Sequence, residues 1–219
     1  MIFPKGILFD FDGVVVDSFE SHYSAWSSGF KELFNEEISP FPKSCAGKSP
    51  LIIAAHFCSV IGKEDRAKDL FDIKDRHLDI NFKVPKLLPG VVEFEDYLLA
   101  NNIPYGIASN ATKLFLKNSI RELSLKFKTV FGVEDYEKPK PSPEAYITLA
   151  KALGFVKSDF KELWVFEDSL TGTTAAKLAG MIPIGILTQY SEEELKNAGS
   201  EMVFPTLKEA YAYIEQKFK

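Results

Sequence analysis

Short apolar runs alternate along most of the chain with longer segments in which apolar residues recur every three or four positions. The runs are GILFD (6–10), PYGIAS (104–109), KTVFGV (128–133), LWVFED (163–168) and IPIGIL (182–187), each of a length that suits a buried strand. Between them, segments 91–100, 144–153 and 170–179 carry the spacing of amphipathic helices. Helix-start chemistry agrees. Ser142-Pro143-Glu144 reads as an N-cap, a first-turn proline and a carboxylate that suits the helix dipole, and Ser191 with Glu194 has capping-box spacing. Strands alternating with helices predict an α/β fold, a doubly wound parallel sheet flanked by helices.

The stretch from about Ser18 to Lys83 breaks this alternation, because it holds helical patterns and no convincing strand before Pro85. It reads as a helical insertion. Gly13, Pro85, Pro89 and Gly90 punctuate its borders, which predicts a core domain of residues 1–16 and 86–219 and a helical domain of residues 17–85.

The length of 219 residues and an apolar share of 46% fit one large domain carrying a smaller insertion. A net charge of −5 argues against a protein that grips nucleic acid or an anionic membrane by bulk electrostatics, so an anionic ligand needs a local site. Cys45 and Cys58 have neither disulfide-framework nor zinc-site spacing. The most apolar window, 51–62, is interrupted by His56 and is too short to span a membrane, and the first residues do not read as a leader. A soluble cytoplasmic protein is expected.

Asp10 and Asp12 stand two apart at the end of the first strand, so the strand period points both carboxylates to one side of the sheet's carboxyl edge, where open parallel sheets bind ligands. Taken alone, Asp12-Gly13 is also ordinary turn chemistry. Glu167 and Asp168 end another strand and can converge on the same edge. Four crowded carboxylates repel one another unless a cation sits among them, and an oxygen-only set favours a hard ion, Mg²⁺ first of all if the substrate is a phosphate. Ser109 and Asn110 end a third strand, and Lys140 lies in the proline-stiffened segment KPKPSPE.

Together DFDGVVVDS (10–18), IASNA (107–111), KPSPEAY (140–146) and FEDSLTG (166–172) resemble, in order and spacing, the four motifs of the haloacid dehalogenase superfamily. The resemblance spans essentially the whole chain. The helical insertion after the first motif is similar to the small cap of the subclass that includes β-phosphoglucomutase and many small-molecule phosphatases, which implies a Rossmann-like core with an α-helical cap. It implies that Asp10 is the nucleophile that becomes an aspartyl phosphate and Asp12 the general acid and base. Ser109 with Asn110 would hold phosphoryl oxygens, and Lys140 would neutralise charge. The resemblance assigns Mg²⁺ to Asp10, Asp12 through its backbone carbonyl, Asp168 and Glu167, the last directly or through water.

Asp12 argues against dehalogenation and phosphonate cleavage, because those members lack this acid and the latter place a Schiff-base lysine in the cap, where LIIAA (51–55) has none. Hydrolysis and phosphomutation remain. DSFESHYSAW (17–26) resembles β-phosphoglucomutase, and Ser18 and His22 are expected to hold Asp12. However, Pro50 stands where the mutases carry an arginine for the second phosphate, and a lysine does not replace a bidentate guanidinium. His22, Lys48 and Lys74 are the candidate cap residues for the substrate, with Ser49 and Arg76 as neighbours of undetermined facing. Trp26 reads as cap packing, and His56 and His77 are assigned no role. The expectation is a monomeric, Mg²⁺-dependent phosphatase of a small phosphomonoester, a sugar or polyol phosphate, acting on neither nucleic acid nor membrane. The alternatives are a β-phosphoglucomutase-type mutase and a non-catalytic binding module.

Overall fold

Four consecutive buried residues start the sheet, and their alternation decides what each face packs against. In β1 (Gly6–Phe9), Ile7 and Phe9 enter a cluster with Phe94, Leu98 and Phe166, whereas Leu8 enters a second cluster with Leu149 and Val165 on the opposite face. The computed structural model describes residues 3–217.

After β1 come β2 (Val16–Asp17) and three helices, α1 (Phe19–Phe34), α2 (Pro50–Val60) and α3 (Ala67–Ile80), before β3 (Lys86–Leu87). Strands and helices then alternate: α4 (Val91–Ala100), β4 (Tyr105–Ala108), α5 (Lys113–Glu122), β5 (Val130–Phe131), α6 (Glu144–Ala152), β6 (Leu163–Glu167) and α7 (Leu170–Leu178). The chain continues through β7 (Ile182–Ile186), α8 (Glu192–Ala198), β8 (Met202–Phe204) and α9 (Leu207–Lys217).

Six strands form a parallel sheet in the order β5-β4-β1-β6-β7-β8, with helices on both faces. The expected doubly wound α/β fold is therefore present. β1 sits between β4 and β6, so the loops leaving these strands converge where the strand order diverges, which is the usual ligand crevice of such sheets. Phe9 anchors this centre: its ring stacks on Phe166 at 5.4 Å and meets Phe94 and Phe127 edge-on, each at 5.7 Å.

The helices α1 to α3 form a cap with a cluster of its own, made by Trp26, Phe30, Cys45, Ile53, Ala54, Phe57, Cys58 and Leu70. Gly29 permits the close crossing of α1 and α3, because a Cβ there would stand 3.1 Å from the Lys74 backbone nitrogen. The two chain segments that enter and leave the cap pair with each other as the antiparallel β2–β3 ribbon. Trp26 packs in the cap as expected, 2% exposed.

Two edges differ from the sequence pattern. The strand expected over 128–133 is reduced to Val130–Phe131, because the chain turns at Gly132 into a short 3-10 helix whose Glu134 and Asp135 carboxylates bond Lys113. The opposite edge is extended by β8, a run of three residues too short to stand out by periodicity. The Ser191–Glu194 capping box is formed, whereas Pro143 rather than Ser142 is the N-cap of α6, with the Ser142 hydroxyl accepting from the Glu144 amide at 3.3 Å.

Removing the ring at the centre of the sheet leaves a cavity that three aromatic neighbours cannot close. Phe9→Ala is expected to lower unfolding free energy by about 3–5 kcal/mol in urea titration. A loss below about 1 kcal/mol would mean that the Phe9 cluster is not the anchor of the core.

Candidate active site

The carboxyl ends of β1, β4 and β6 bring the predicted residues together. Asp10 follows β1 directly, its amide bonded to the Phe166 carbonyl at 3.0 Å, so its carboxylate is fixed by the sheet ladder and is 6% exposed. Gly13 takes a left-handed φ of 77° and places its backbone against β6: a Cβ there would lie 1.8 Å from Asp168 Oδ2. The turn is held on its other side by the Thr188 hydroxyl, which donates to the Gly13 carbonyl at 2.6 Å.

Lys140 is buried, and its ammonium donates to three oxygens: Asp10 Oδ1 at 2.8 Å, Glu167 Oε1 at 2.7 Å and the Tyr146 hydroxyl at 2.7 Å. Burial opposes its charge, but Asp10 and Glu167 outweigh that cost and raise its pKa. Asp10 is pushed up to about 7, by burial first and by Glu167 next, with Lys140 pulling the other way. Asp168 is raised well above the usual carboxylate range by burial, then by Asp10, Glu167 and Asp12.

Carboxylate oxygens of Asp10, Glu167 and Asp168 lie within 4.8 Å of one another. Asp168 Oδ2 is buried with no hydrogen-bond partner among the described residues, an arrangement that costs free energy unless a cation completes it. The donor set is oxygen only, and it fits a hard divalent ion such as Mg²⁺.

Asp12 is half-buried and differently partnered. Ser18 donates its hydroxyl to Asp12 Oδ1, His22 Nε2 lies 3.3 Å from the same oxygen, and Ser109 Oγ lies 3.4 Å from Oδ2. Burial works against the anion, yet His22, Ser18 and Lys74 prevail and hold the Asp12 pKa below its ordinary value. The expectation that Ser18 and His22 hold Asp12 therefore has the geometry it needs.

A cavity of about 550 Å³ lies between cap and core. Asp10, Asp12, Ser109, Asn110, Lys140 and Asp168 line its floor, and His22, Lys48 and Lys74 line its cap side. Lys74 is 1% exposed, its ammonium 5.4 Å from the Trp26 ring centroid, and burial lowers its pKa to about 8 against the pull of Asp75, Asp12 and Asp79. Arg76 points elsewhere and pairs with Glu32 at 2.5 Å, as does His77 at 2.8 Å. The stripe Leu70-Lys74-Leu78, at four-residue spacing and buried throughout, is the sequence signal that separates Lys74 from Arg76.

Asn110 does more than line the floor. Its Nδ2 donates to the Gly47 carbonyl at 2.9 Å, where Thr171 Oγ1 also donates at 3.0 Å, so both tie the cap loop to the core. Its Oδ1 accepts from the Lys140 amide at 3.1 Å and from the Tyr136 hydroxyl at 3.3 Å. Sequence reasoning missed Tyr136, Tyr146, Ser169 and Thr171. For Tyr146 the sequence offers only that a tyrosine on an otherwise apolar helix face needs some polar partner, without saying which.

Residues 7–186 match the family model described as haloacid dehalogenase-like hydrolase. The chain is 30% identical over 185 residues to YhcW of Bacillus subtilis, provisionally named a phosphatase, covering 81% of this chain and 80% of that one. It is 27% identical over 186 residues to hexitol phosphatase A of Escherichia coli, covering 83% and 82%. Its fold is shared with the crystal structure of β-phosphoglucomutase from Clostridium difficile, with a TM-score of 0.81 at 23% identity, covering 98% of this chain and 97% of that one.

The raised pKa values of Asp10 and Asp168 carry a stability cost with a defined direction. Without metal, the folded chain keeps protons on this pair that the unfolded chain has released above about pH 4, so stability falls as pH rises from about 5 to 7. In EDTA, thermal denaturation should show this decline, and Asp10→Asn should make it shallower, leaving the share that burial gives Asp168. Stability that rises over that window and is unchanged by Asp10→Asn would contradict the assignment.

Proposed function

We propose that this chain, which belongs to the haloacid dehalogenase-like hydrolases and is a phosphatase of that superfamily, hydrolyses a small phosphomonoester through a phosphoryl group carried on Asp10. The observation that carries this reading is a buried Asp10 carboxylate, 2.8 Å from the Lys140 ammonium, facing a cavity that Asp12 also lines.

In the first half-reaction an Asp10 oxygen attacks phosphorus, the ester P–O bond breaks, and Asp12 gives its proton to the leaving alkoxide. Lys140 restrains Asp10 and neutralises charge on the phosphoryl oxygens, and the Ser109 hydroxyl and the Asn110 backbone steady those oxygens. The negative phosphoryl group raises the proton affinity of Asp12 on arrival. In the second half-reaction Asp12, restored to the charged state that His22, Ser18 and Lys74 favour, takes a proton from water as that water attacks phosphorus, and Asp10 leaves as a free carboxylate. Mg²⁺, held by Asp10, Asp168 and the Asp12 carbonyl with Glu167 beside them, would supply the positive charge that lets one anion approach another.

Sugar and polyol phosphates are the proposed substrate class: a cavity of about 550 Å³ suits them, and hexitol phosphatase A bears such a substrate in its name. Lys48 and Lys74 are proposed to meet the leaving group. The cap, residues 17–85, is proposed to open against the core, residues 1–16 and 86–219, at the β2–β3 ribbon. A monomer is proposed by analogy with capped members of the superfamily. A cytoplasmic location is proposed from the two free cysteines, and no described helix is long and apolar enough to cross a membrane.

Phosphomutation is the second reading, favoured by the grip of His22 on Asp12. Among the described residues, however, the cavity is lined by lysines and by no arginine, so a second phosphate would meet point charges only.

Phosphate release from sugar, polyol and nucleotide monophosphates with Mg²⁺ tests the reading, beside an isomerisation assay with β-glucose 1-phosphate. Asp10→Asn is expected to leave less than about 1% of activity in a folded protein; retention of a tenth or more would remove Asp10 from the nucleophile's role. Asp12→Asn should spare an activated ester such as p-nitrophenyl phosphate at least about tenfold more than an alkyl ester, and equal losses on both would contradict the acid role. Isomerisation without net release would favour the mutase, and inactivity in both assays the binding module.

A further inference from the structure

Phe19 differs from every other aromatic residue described in the fold. It is 53% exposed, whereas the remaining phenylalanine, tyrosine and tryptophan side chains are buried or half-buried. A single apolar side chain on an outer surface needs no explanation, but Phe19 lines the cavity between cap and core. The first two turns of α1 face that cavity with Phe19, His22, Tyr23 and Trp26, at positions i, i+3, i+4 and i+7.

The open ring is held in one orientation. It lies parallel to Tyr23, with 5° between the planes and 5.9 Å between the centroids, and Phe41 from the loop after α1 stands perpendicular to it at 5.9 Å. Phe41 leans in turn on Phe57 of the cap cluster at 6.0 Å. Phe19, Tyr23 and Phe41 therefore form an aromatic shelf on the cap side of the cavity, packed from behind and open at its outermost ring. The shelf begins next to the chemistry, because Phe19 follows Ser18, whose hydroxyl donates to Asp12. A leaving group protonated by Asp12 extends from there across the shelf.

The surroundings narrow what that leaving group is. Pro50 and Ile53 continue the apolar wall, and the cations Lys48 and Lys74 can only donate hydrogen bonds. A leaving group made of hydroxyls alone gains little from such a wall, whereas a flat ring with carbonyl or ring-nitrogen acceptors meets both its aromatic faces and its N–H donors. We propose that Phe19, backed by Tyr23 and Phe41, is a specificity-determining stacking platform, and that the preferred substrate is a sugar phosphate carrying a planar heterocyclic ring, as a nucleoside 5′-monophosphate does. The proposal rests on the phosphomonoester hydrolysis proposed above and selects among its sugar esters. The sugar phosphate reaches Asp10 and Asp12, and the ring lies on Phe19.

Ribose 5-phosphate and uridine or adenosine 5′-monophosphate release the same kind of primary alkoxide and differ in the ring, so the ratio of their kcat/KM values isolates the shelf. At least one of the two nucleotides is expected to be favoured by about tenfold or more, the effect of one base stacked on one aromatic ring. Phe19→Ala should cut that ratio at least about fivefold, chiefly through KM, and Phe19→Leu, which keeps apolar bulk without a flat face, should cut it as well. Phe19→Tyr should hold it within about twofold. A purely structural part for Phe19 would slow all the esters alike. A ratio near one in the parent, or a ratio that neither Phe19→Ala nor Phe19→Leu moves, would overturn the proposal. Calorimetric binding of the same esters to Asp10→Asn separates the platform from the reaction. Tighter binding of the nucleotide, lost with Phe19→Ala, in a protein whose parent releases no phosphate from any ester would contradict the hydrolase reading alone; release without preference for the ring would overturn the platform alone.

Discussion

One ammonium group makes the rest of the site possible. Asp10 and Glu167 are buried side by side, and two carboxylates so placed cannot both stay ionised without a cation between them. Lys140 supplies that charge within 2.8 Å of each, from within a segment, residues 139–143, that carries three prolines in five residues. The fold repeats the logic at larger scale: β1 is central because Phe9 and Leu8 are buried on opposite faces, and its carboxyl end is consequently sheltered between the ends of β4 and β6. An anion kept there is poorly hydrated and held in one direction, which suits a nucleophile.

The cap imposes the second constraint. Asp12 takes partners from both bodies, Ser109 from the sheet edge and Ser18 and His22 from the start of the cap, so its environment depends on how the cap sits. The Gly47 carbonyl, bonded by Asn110 and Thr171, ties the cap loop to two of the strand ends that carry the site. The position of the cap and the state of Asp12 are thereby linked through these polar contacts.

Much of this was legible in the sequence for local reasons. Strand-end carboxylates two apart, as at Asp10 and Asp12, or adjacent, as at Glu167 and Asp168, follow from the strand period and from the position of the apolar runs. Lys140 was marked by its prolines. The inward turn of Lys74 could be read from Leu70 and Leu78 on the same helical stripe. What remained hidden depends on tertiary neighbours: nothing local says that Tyr146 on α6 will reach Glu167 on β6, or that Asn110 will spend its amide on Gly47. The shortened β5 and the added β8 were hidden for a similar reason, since edge strands as short as two and three residues owe their pairing to the neighbour rather than to their own pattern.

The most direct measurement is chemical trapping of the covalent intermediate. The Mg²⁺-loaded protein would be mixed with an activated phosphomonoester, quenched in acid within one turnover and digested for mass spectrometry. The account predicts a mass gain of one phosphoryl group confined to the peptide that contains Asp10. A phosphoryl group found on another residue, or rapid phosphate release with no trapped protein at any quench time, would contradict it.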